Sequence, residues 1–242
     1  MKFNVEKITQ SLLEEGASLV GFADLSGLSP DITKSFPYAI SIAVALNPAI
    51  IAKINNGPTA DYFEEYKRVN LFLSDLGKFA AKLLFNHGYK SFPLEPTTEN
   101  FNRKTLTTFL PHKTIATRAG LGWIGKSALL TTKQYGSAIR LTSVLTDCPL
   151  PTAEPNNKSQ CGDCMVCVDS CPGHAPLGNN WDINHPRENF FNAFTCLETI
   201  IKLSKPVGIE GAVCGICIAS CPWTQQYLMS HKPKSCRIKV LN

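Results

Sequence analysis

Two cysteine-rich motifs constrain this chain of 242 residues more than any other feature. The first, CGDCMVCVDSCP, places Cys161, Cys164, Cys167 and Cys171 in the spacing C-x2-C-x2-C-x3-C-P. Two intervening residues let the backbone curl so that successive thiolates converge, and this is the bacterial spacing for a [4Fe–4S] cluster. The fourth cysteine of such a motif, which a proline follows, binds a second cluster. The motif therefore predicts two clusters.

The second motif, CGICIASCP, lacks its first cysteine. It supplies Cys214, Cys217 and Cys221, and Gly211 stands where the missing first cysteine would be. Two [4Fe–4S] clusters need about eight thiolates, whereas the two motifs supply four plus three. One ligand must therefore come from elsewhere in the chain.

Three cysteines are candidates for the missing ligand: Cys148, Cys196 and Cys236. We favour Cys196, because it lies between the motifs on a predicted helix over 186–202. Structural zinc, which would close separate tetrahedra of four ligands, fits the paired motifs less well. With crossed ligation, the predicted sets are Cys161, Cys164, Cys167 and Cys221 for one cluster, and Cys171, Cys196, Cys214 and Cys217 for the other.

Composition and hydrophobicity indicate the class of protein and the cellular compartment in which it is found. The hydrophobic fraction of 44% and the charged fraction of 18% are those of a globular protein. No segment reaches the roughly 18 to 20 apolar residues of a membrane span, and the N-terminus lacks the apolar core of a signal peptide. We therefore predict a cytoplasmic protein that does not contact a membrane. Because the cytosol keeps thiols reduced, the ten cysteines are expected to bind metal rather than form disulfides.

Hydrophobic periodicity predicts a mixed α/β (α+β) fold. A loop rich in Pro, Asn and Ser over 148–160 divides the chain into an α/β domain, 1–150, and a double-cluster domain, 151–242. The segments SALLTT and SAIRLTSVLTD are predicted to pair as a hairpin through KQYG. The main predicted helices cover 3–15 and 60–86, and the first strands cover 18–25 and 39–46.

The segment AGLGWIGKS, residues 119–127, matches both the phosphate-loop and the dinucleotide-binding patterns. Neither function is predicted, because a phosphate loop must follow a strand and open a helix, and here a strand is expected after the motif. One interpretation is that its glycines only make a tight turn between a helix and a strand.

Longer stretches around these motifs resemble the epoxyqueuosine reductase family, which is related to the reductive dehalogenases. The resemblance lies in RAGLGWIGKSALL at 118–130, GSAIRLTSVLTD at 136–147, CLETI at 196–200 and CPW at 221–223. It is specific from Arg118 to Pro222 and looser in the first 110 residues.

The resemblance implies a nitroreductase-like domain of the type that holds cobalamin, with a small two-cluster ferredoxin-like domain. Electrons would pass through the clusters to cobalt, which would reduce the substrate; flavin is the alternative cofactor. A ferredoxin or flavodoxin would be the electron donor, and a small molecule a possible substrate. The residues implied in the cofactor pocket are Gly120, Gly122, Trp123, Gly125 and Lys126.

The sequence departs from the family in two places. Family members carry an acidic catalytic residue before the glycine motif, but residues 104–114 contain no Asp or Glu. His112 and Glu99 are the candidate substitutes as proton donors. The chain also ends about 20 residues after the second motif, so the extension that family members use to grip transfer RNA is not expected, and transfer RNA is a doubtful partner. An electron-transfer protein without its own substrate is the alternative.

Overall fold

The fold is described by a computed structural model that covers residues 5–97, 101–211 and 213–231. Two residues of the sequence predictions, Glu99 and Cys236, lie outside the described residues. The helices are α1 (Val5–Glu14), α2 (Pro30–Thr33), α3 (Pro48–Ile51), α4 (Ala60–Phe85), α5 (His112–Arg118), α6 (Val166–Asp169), α7 (Ala193–Ser204), α8 (Ile216–Ser220) and α9 (Pro222–Ser230). The strands are β1 (Leu19–Asp24), β2 (Tyr38–Ala45), β3 (Ser91–Leu94), β4 (Trp123–Ile124), β5 (Leu130–Thr131) and β6 (Ile139–Thr146). The predicted mixed α/β class is confirmed.

One four-stranded sheet organises the first part of the chain, in the order β1-β2-β6-β3. Every neighbouring pair is antiparallel. The two central strands pair along their whole length, from Tyr38 opposite Thr146 to Ala45 opposite Ile139. The first two strands lie within one residue of the ends predicted for them, because each is a short apolar run bounded by turn residues.

The central strand β2 presents side chains of different size to its two faces. Ile40, Ile42 and Val44 belong to the same core as the apolar face of α4. Ala39 and Ala43 point the other way and pack in the clusters that include α5. Successive side chains of a strand alternate between faces. Small residues on one face therefore allow the short helix α5, which leads into the glycine motif, to lie close to the sheet.

The predicted hairpin between the two segments after the glycine motif is wrong. The segment SALLTT does contain a strand, β5, but β5 pairs with β4 in a separate two-stranded sheet. A bridge between Thr132 and Gly136 then turns the chain toward β6 in the main sheet. The error has a physical reason, because the residues that pair with β5 lie inside the glycine motif itself and carry little alternating pattern.

The cysteine-rich segment shares a core with the sheet. The buried side chains of Ile218, Ala219, Tyr227 and Leu228, from α8 and α9, belong to the same hydrophobic cluster as β2 and α4. The hydroxyl of Tyr227 donates a hydrogen bond of 2.8 Å to the carbonyl oxygen of Leu46. The division at 150/151 stays a prediction, and the two proposed parts are joined by a common apolar core.

None of the helices in the described ranges has the length and apolar character needed to cross a bilayer.

Candidate iron–sulfur centre

The first predicted ligand set comes together around Cys167. Burial, and then the neighbouring thiols of Cys161, Cys221 and Cys164, raise the pKa of its thiol to about 12. Cys161 also raises the pKa of Cys221. Charges affect a pKa in this way only when they are close. The thiols of the first motif thus lie beside the last cysteine of the second motif, 50 or more positions later in the chain.

The second predicted set comes together around Cys217. Burial raises the pKa of this thiol well above its ordinary value, and Cys214, Cys196, Cys167 and Cys171 add to the shift in that order. Cys171 also acts on Cys196 and on Cys214. The influence of Cys167 on Cys217 further shows that the two sets are neighbours.

Cys196 reaches this group because helix α7 holds it in the first turn. The side chain of Asn192 caps the helix by accepting hydrogen bonds of 3.1 Å from the backbone N–H groups of Phe194 and Thr195. Burial, and then the neighbouring thiols of Cys171 and Cys214, raise the pKa of the Cys196 thiol to about 11. The lone cysteine between the motifs is therefore brought to the set that lacks one thiol.

Backbone donors face some of these sulfur atoms. The pKa of Cys221 is raised chiefly by burial, but the backbone N–H groups of Thr224 and Trp223, at the start of α9, act in the opposite direction. The N–H of Ile216 does the same for Cys214. Such donors stabilise a negatively charged sulfur. Two groups of four part-buried thiols with these donors fit two [4Fe–4S] clusters.

A site for a single metal ion would need a different arrangement of side chains from that of the two cysteine sets. Across the part of the chain that the structure describes, no three His, Cys, Asp or Glu side chains are placed to hold one metal ion.

The remaining described cysteine, Cys148, is fully buried in the main core. Burial raises its pKa to about 11, and no thiol of either ligand set contributes to that shift.

Gly120 ends helix α5. It has a φ of +69°, and the N–H groups of Gly120 and Leu121 donate to the carbonyl oxygens of Thr117 and Ala116, at 3.2 and 3.0 Å. This is the Schellman arrangement in which a left-handed glycine closes a helix. The motif therefore follows a helix and leads into β4, as the tight-turn interpretation requires.

Gly122 and Gly125 allow the β4–β5 hairpin to pack against its own chain. A β-carbon on Gly122 would overlap the carbonyl oxygen of Thr131. A β-carbon on Gly125 would lie 2.8 Å from the Thr131 hydroxyl and 3.6 Å from the sulfur of Cys161. The space beside both glycines is filled by protein atoms. The prediction that residues 120–126 shape a cofactor pocket gains no support from this packing and stays a prediction.

Trp123 and Lys126 join the hairpin to the cysteine-rich segment. Trp123 is 1% exposed, and its ring packs edge-on against Trp223, with 5.4 Å between ring centroids. Lys126 is also buried, and its Nζ donates to the sulfur of Met165 at 3.5 Å. Met165 follows Cys164 directly. Both residues therefore lie beside the first ligand set.

His112, the predicted proton donor, has both ring nitrogens occupied by protein partners. Nδ1 lies 3.0 Å from the hydroxyl of Ser143, and Nε2 lies 2.9 Å from the carbonyl oxygen of Glu95. Burial is the main cause that lowers its pKa, which favours the neutral ring. The ring thus ties α5 to β6 and to the end of β3. The role of His112 in catalysis stays a prediction.

Two cations near the β4–β5 hairpin, Lys113 and Arg187, were not among the predicted site residues. Lys113 donates a hydrogen bond of 2.7 Å to the carbonyl oxygen of Ala128 in the hairpin turn. Burial, and then the charge of Arg187, lowers the Lys113 pKa to about 8. Arg187 itself donates to the carbonyl oxygens of Leu106 and Thr105, at 2.7 and 2.8 Å. Only long-range packing brings these groups together, so the sequence carries no local signal for them.

Comparison with known proteins agrees with the cysteine pattern. Residues 160–224 match the family described as the 4Fe-4S double cluster binding domain. An epoxyqueuosine reductase of Cyclobacterium marinum is 33% identical over 129 residues, which cover 50% of this chain and 38% of that relative. The chain thus matches little more than a third of the length of that curated relative. The predicted resemblance to epoxyqueuosine reductases and to a double-cluster protein is confirmed.

Solved structures share the fold of most of the chain. A reductive dehalogenase described with B12-dependent dehalogenation superposes with a TM-score of 0.67 at 17% identity, covering 90% of this chain and 32% of its own. An epoxyqueuosine reductase superposes with a TM-score of 0.57 at 19% identity, covering 91% of this chain and 65% of its own. At these identities the likeness concerns the fold alone.

The second of these structures corrects one prediction. That epoxyqueuosine reductase was solved with an epoxyqueuosine-modified stem loop of tyrosine transfer RNA. The prediction that transfer RNA is a doubtful partner is therefore wrong. It relied on a helical extension expected to grip the RNA, whereas the part of the RNA-bound protein that matches this chain amounts to 65% of that protein.

Proposed function

We propose that this chain is an oxidoreductase that passes electrons through two [4Fe–4S] clusters to a cofactor which reduces a modified nucleoside of transfer RNA. The observation that carries the proposal is the gathering of eight cysteines into two crossed sets, around Cys167 and around Cys217. When bound, the clusters would supply one-electron transfer. Because Cys167 acts on the pKa of Cys217, the two sets are close enough to offer a short path from one cluster to the other.

The protein supplies the surroundings of the clusters. Buried apolar residues from α8 and the main core exclude water around the second set. Backbone N–H groups at the start of α9 point at Cys221 and stabilise its charge. The hairpin β4–β5 covers the first set through Gly125 and Lys126. These groups hold the thiolates in place and set the polarity around each cluster.

Cobalamin is the second cofactor that we propose. The support is the fold shared with a reductive dehalogenase described with B12-dependent chemistry. Two surface depressions, of about 520 Å³ along α1 and about 480 Å³ at residues 201–211, are not lined by the glycine motif. Because protein atoms fill the space beside Gly122 and Gly125, we assign no residue to a corrinoid and derive no step through it.

The experiment that tests this function is anaerobic. The purified chain with reconstituted clusters is assayed for iron and sulfide and then titrated with cobalamin while its visible spectrum is recorded. We expect about eight irons per chain and a shift of the cobalamin spectrum toward the base-off form. A parallel titration with flavin separates the two cofactors. If neither titration changes the spectrum, the proposal that the chain is a reductase is contradicted.

A second function is favoured by one observation. The glycine motif is packed against the protein itself rather than open to a ligand. An electron-transfer protein with two clusters and no substrate of its own would have this arrangement. It would show about eight irons and reversible reduction, with no response to cobalamin or flavin.

Transfer RNA is the substrate class that we propose, with a contact loop at residues 101–109. Phe109 is 86% exposed and Phe101 is 38% exposed, and Arg103 lies 6.0 Å from the Phe101 ring centroid. The two hydrogen bonds from Arg187 fix the middle of the loop. Exposed rings and guanidinium groups of this kind stack on unpaired bases.

Replacing Phe109 with serine tests this contact. We expect about tenfold weaker binding of a transfer RNA stem loop, because loss of one base–aromatic stack costs about 1 to 3 kcal/mol. The matched control is Phe85→Ser, which removes a ring that is 76% exposed at the end of α4. Binding is measured by fluorescence anisotropy at fixed salt. Equal affinities for the two variants would contradict the proposed contact.

A further inference from the structure

The indole N–H of Trp123 is a buried donor without a protein acceptor. The residue is 1% exposed, and its Nε1 makes no hydrogen bond. Leaving a buried donor unpaired destabilises the folded state. In the described part of the chain, the buried side-chain nitrogen and oxygen atoms that have no partner are Ser41 Oγ, Trp123 Nε1, Ser137 Oγ and Ser220 Oγ.

The position of Trp123 points to its acceptor. Gly125 continues the pairing of β4, because its N–H donates to the carbonyl oxygen of Leu129 at 2.9 Å. The side-chain positions of Trp123 and Gly125 therefore share a face. On that face a β-carbon at Gly125 would lie 3.6 Å from the sulfur of Cys161. The Trp123 ring also packs against Trp223, two residues after Cys221. The indole therefore lies on the hairpin face that adjoins Cys161 and packs against the segment that follows Cys221.

We propose that Trp123 Nε1–H donates a hydrogen bond to a sulfur atom of the cluster held by Cys161, Cys164, Cys167 and Cys221. This inference rests on the proposed function, because it takes that ligand set as given. Sulfur is the acceptor that the surroundings supply, since burial keeps bulk water from the indole.

The hydrogen bond has a consequence for the redox chemistry. A reduced cluster carries one more negative charge than the oxidised cluster, and a donor to its sulfur stabilises the reduced form more. Trp123 thus raises the reduction potential of the first cluster relative to the second. The residue acts through the cluster, as a tuning residue, and does not touch the substrate.

The test compares Trp123→Phe with Trp223→Phe. Both variants keep an aromatic ring in the edge-on pair, but only the first removes the buried donor. Iron and sulfide are assayed first, so that both clusters are known to be present. In a redox titration followed by electron paramagnetic resonance, Trp123→Phe should lower the reduced-to-oxidised ratio of one cluster about tenfold at fixed potential, which is about 59 mV for one electron. Trp223→Phe should leave that ratio near the wild-type value.

A second measurement does not need Trp123→Phe to fold. The chain has three tryptophans, so the double variant Trp181→Phe/Trp223→Phe leaves Trp123 as the single indole. Labelled with ¹⁵N at the indole nitrogen and reduced, this protein should show a ¹⁵N coupling to the cluster in electron–nuclear double resonance.

The outcomes separate the inference from the function on which it rests. Full iron content with no ¹⁵N coupling, or an unchanged potential in Trp123→Phe, would overturn the hydrogen bond and leave the cluster assignment standing. Wild-type protein that takes up no cluster at the first set would instead overturn the proposed function.

Discussion

Replacing Cys196 with alanine should reduce the iron content from about eight to about four atoms per chain. The second cluster loses one of its four thiolates, whereas all four of the first cluster remain. Cys196 is the residue that α7 brings to Cys171 and Cys214. The measurement is an iron and sulfide assay after anaerobic reconstitution, with electron paramagnetic resonance of the reduced protein to identify the surviving cluster.

The control for this variant is Cys148→Ala. Cys148 is fully buried in the main core, and no thiol of either set acts on its pKa, so its replacement should leave about eight irons. Cys148 and Cys236 were the other two candidates in the sequence, so Cys236→Ala is the competing test. If Cys196→Ala keeps all its iron and Cys236→Ala loses half, the assignment of the eighth ligand is wrong.

Gly122→Ala should lower the thermal unfolding midpoint of the cluster-loaded protein by about 10 °C. The added β-carbon overlaps the carbonyl oxygen of Thr131, and backbone cannot move aside as a flexible side chain would. Overpacking of this kind costs roughly 3 kcal/mol, and each kcal/mol lowers the midpoint of a chain of this size by about 2 to 4 °C. The measurement is circular dichroism on anaerobic protein at one fixed heating rate.

The matched control is Gly27→Ala. A β-carbon at Gly27 would meet only the Arg118 guanidinium, at an ordinary 3.5 Å. Its midpoint should therefore stay within about 2 °C of the wild type, the change expected from less than about 0.5 kcal/mol. Equal midpoints for the two glycine variants would show that the hairpin moves to accept a side chain.

The two cysteine motifs could be recognised in the sequence because their spacing is a local property of the chain. A thiol every third residue is visible without any fold, and counting thiols shows that one ligand is missing. The choice of Cys196 over Cys148 and Cys236 depended on its position between the motifs, and it stays a prediction. The long helix α4 and the strands β1 and β2 were also predictable, since each carries a full apolar period. The double-cluster family match at residues 160–224 agrees with that sequence interpretation.

The surroundings of the clusters could not be predicted, because they depend on contacts between distant segments. The pairing of Trp123 with Thr131 replaced the predicted hairpin. The hydrogen bonds of His112 to Ser143 and Glu95 join three separate elements. No pattern within a window of ten residues shows that Trp123 lacks an acceptor. Such facts follow only from the packed structure.

The bond between Tyr227 and Leu46 has a consequence for how the chain is made. The two residues are 181 positions apart, and α8 and α9 complete the core that β2 and α4 begin. During synthesis α4 can cover its part of the sheet early, but the part of the core that α8 and α9 fill stays open until nearly all of these residues have left the ribosome. Contacts so distant in sequence slow folding. The predicted ligands Cys217 and Cys221 lie in this last segment, so neither ligand set is complete before the core can close.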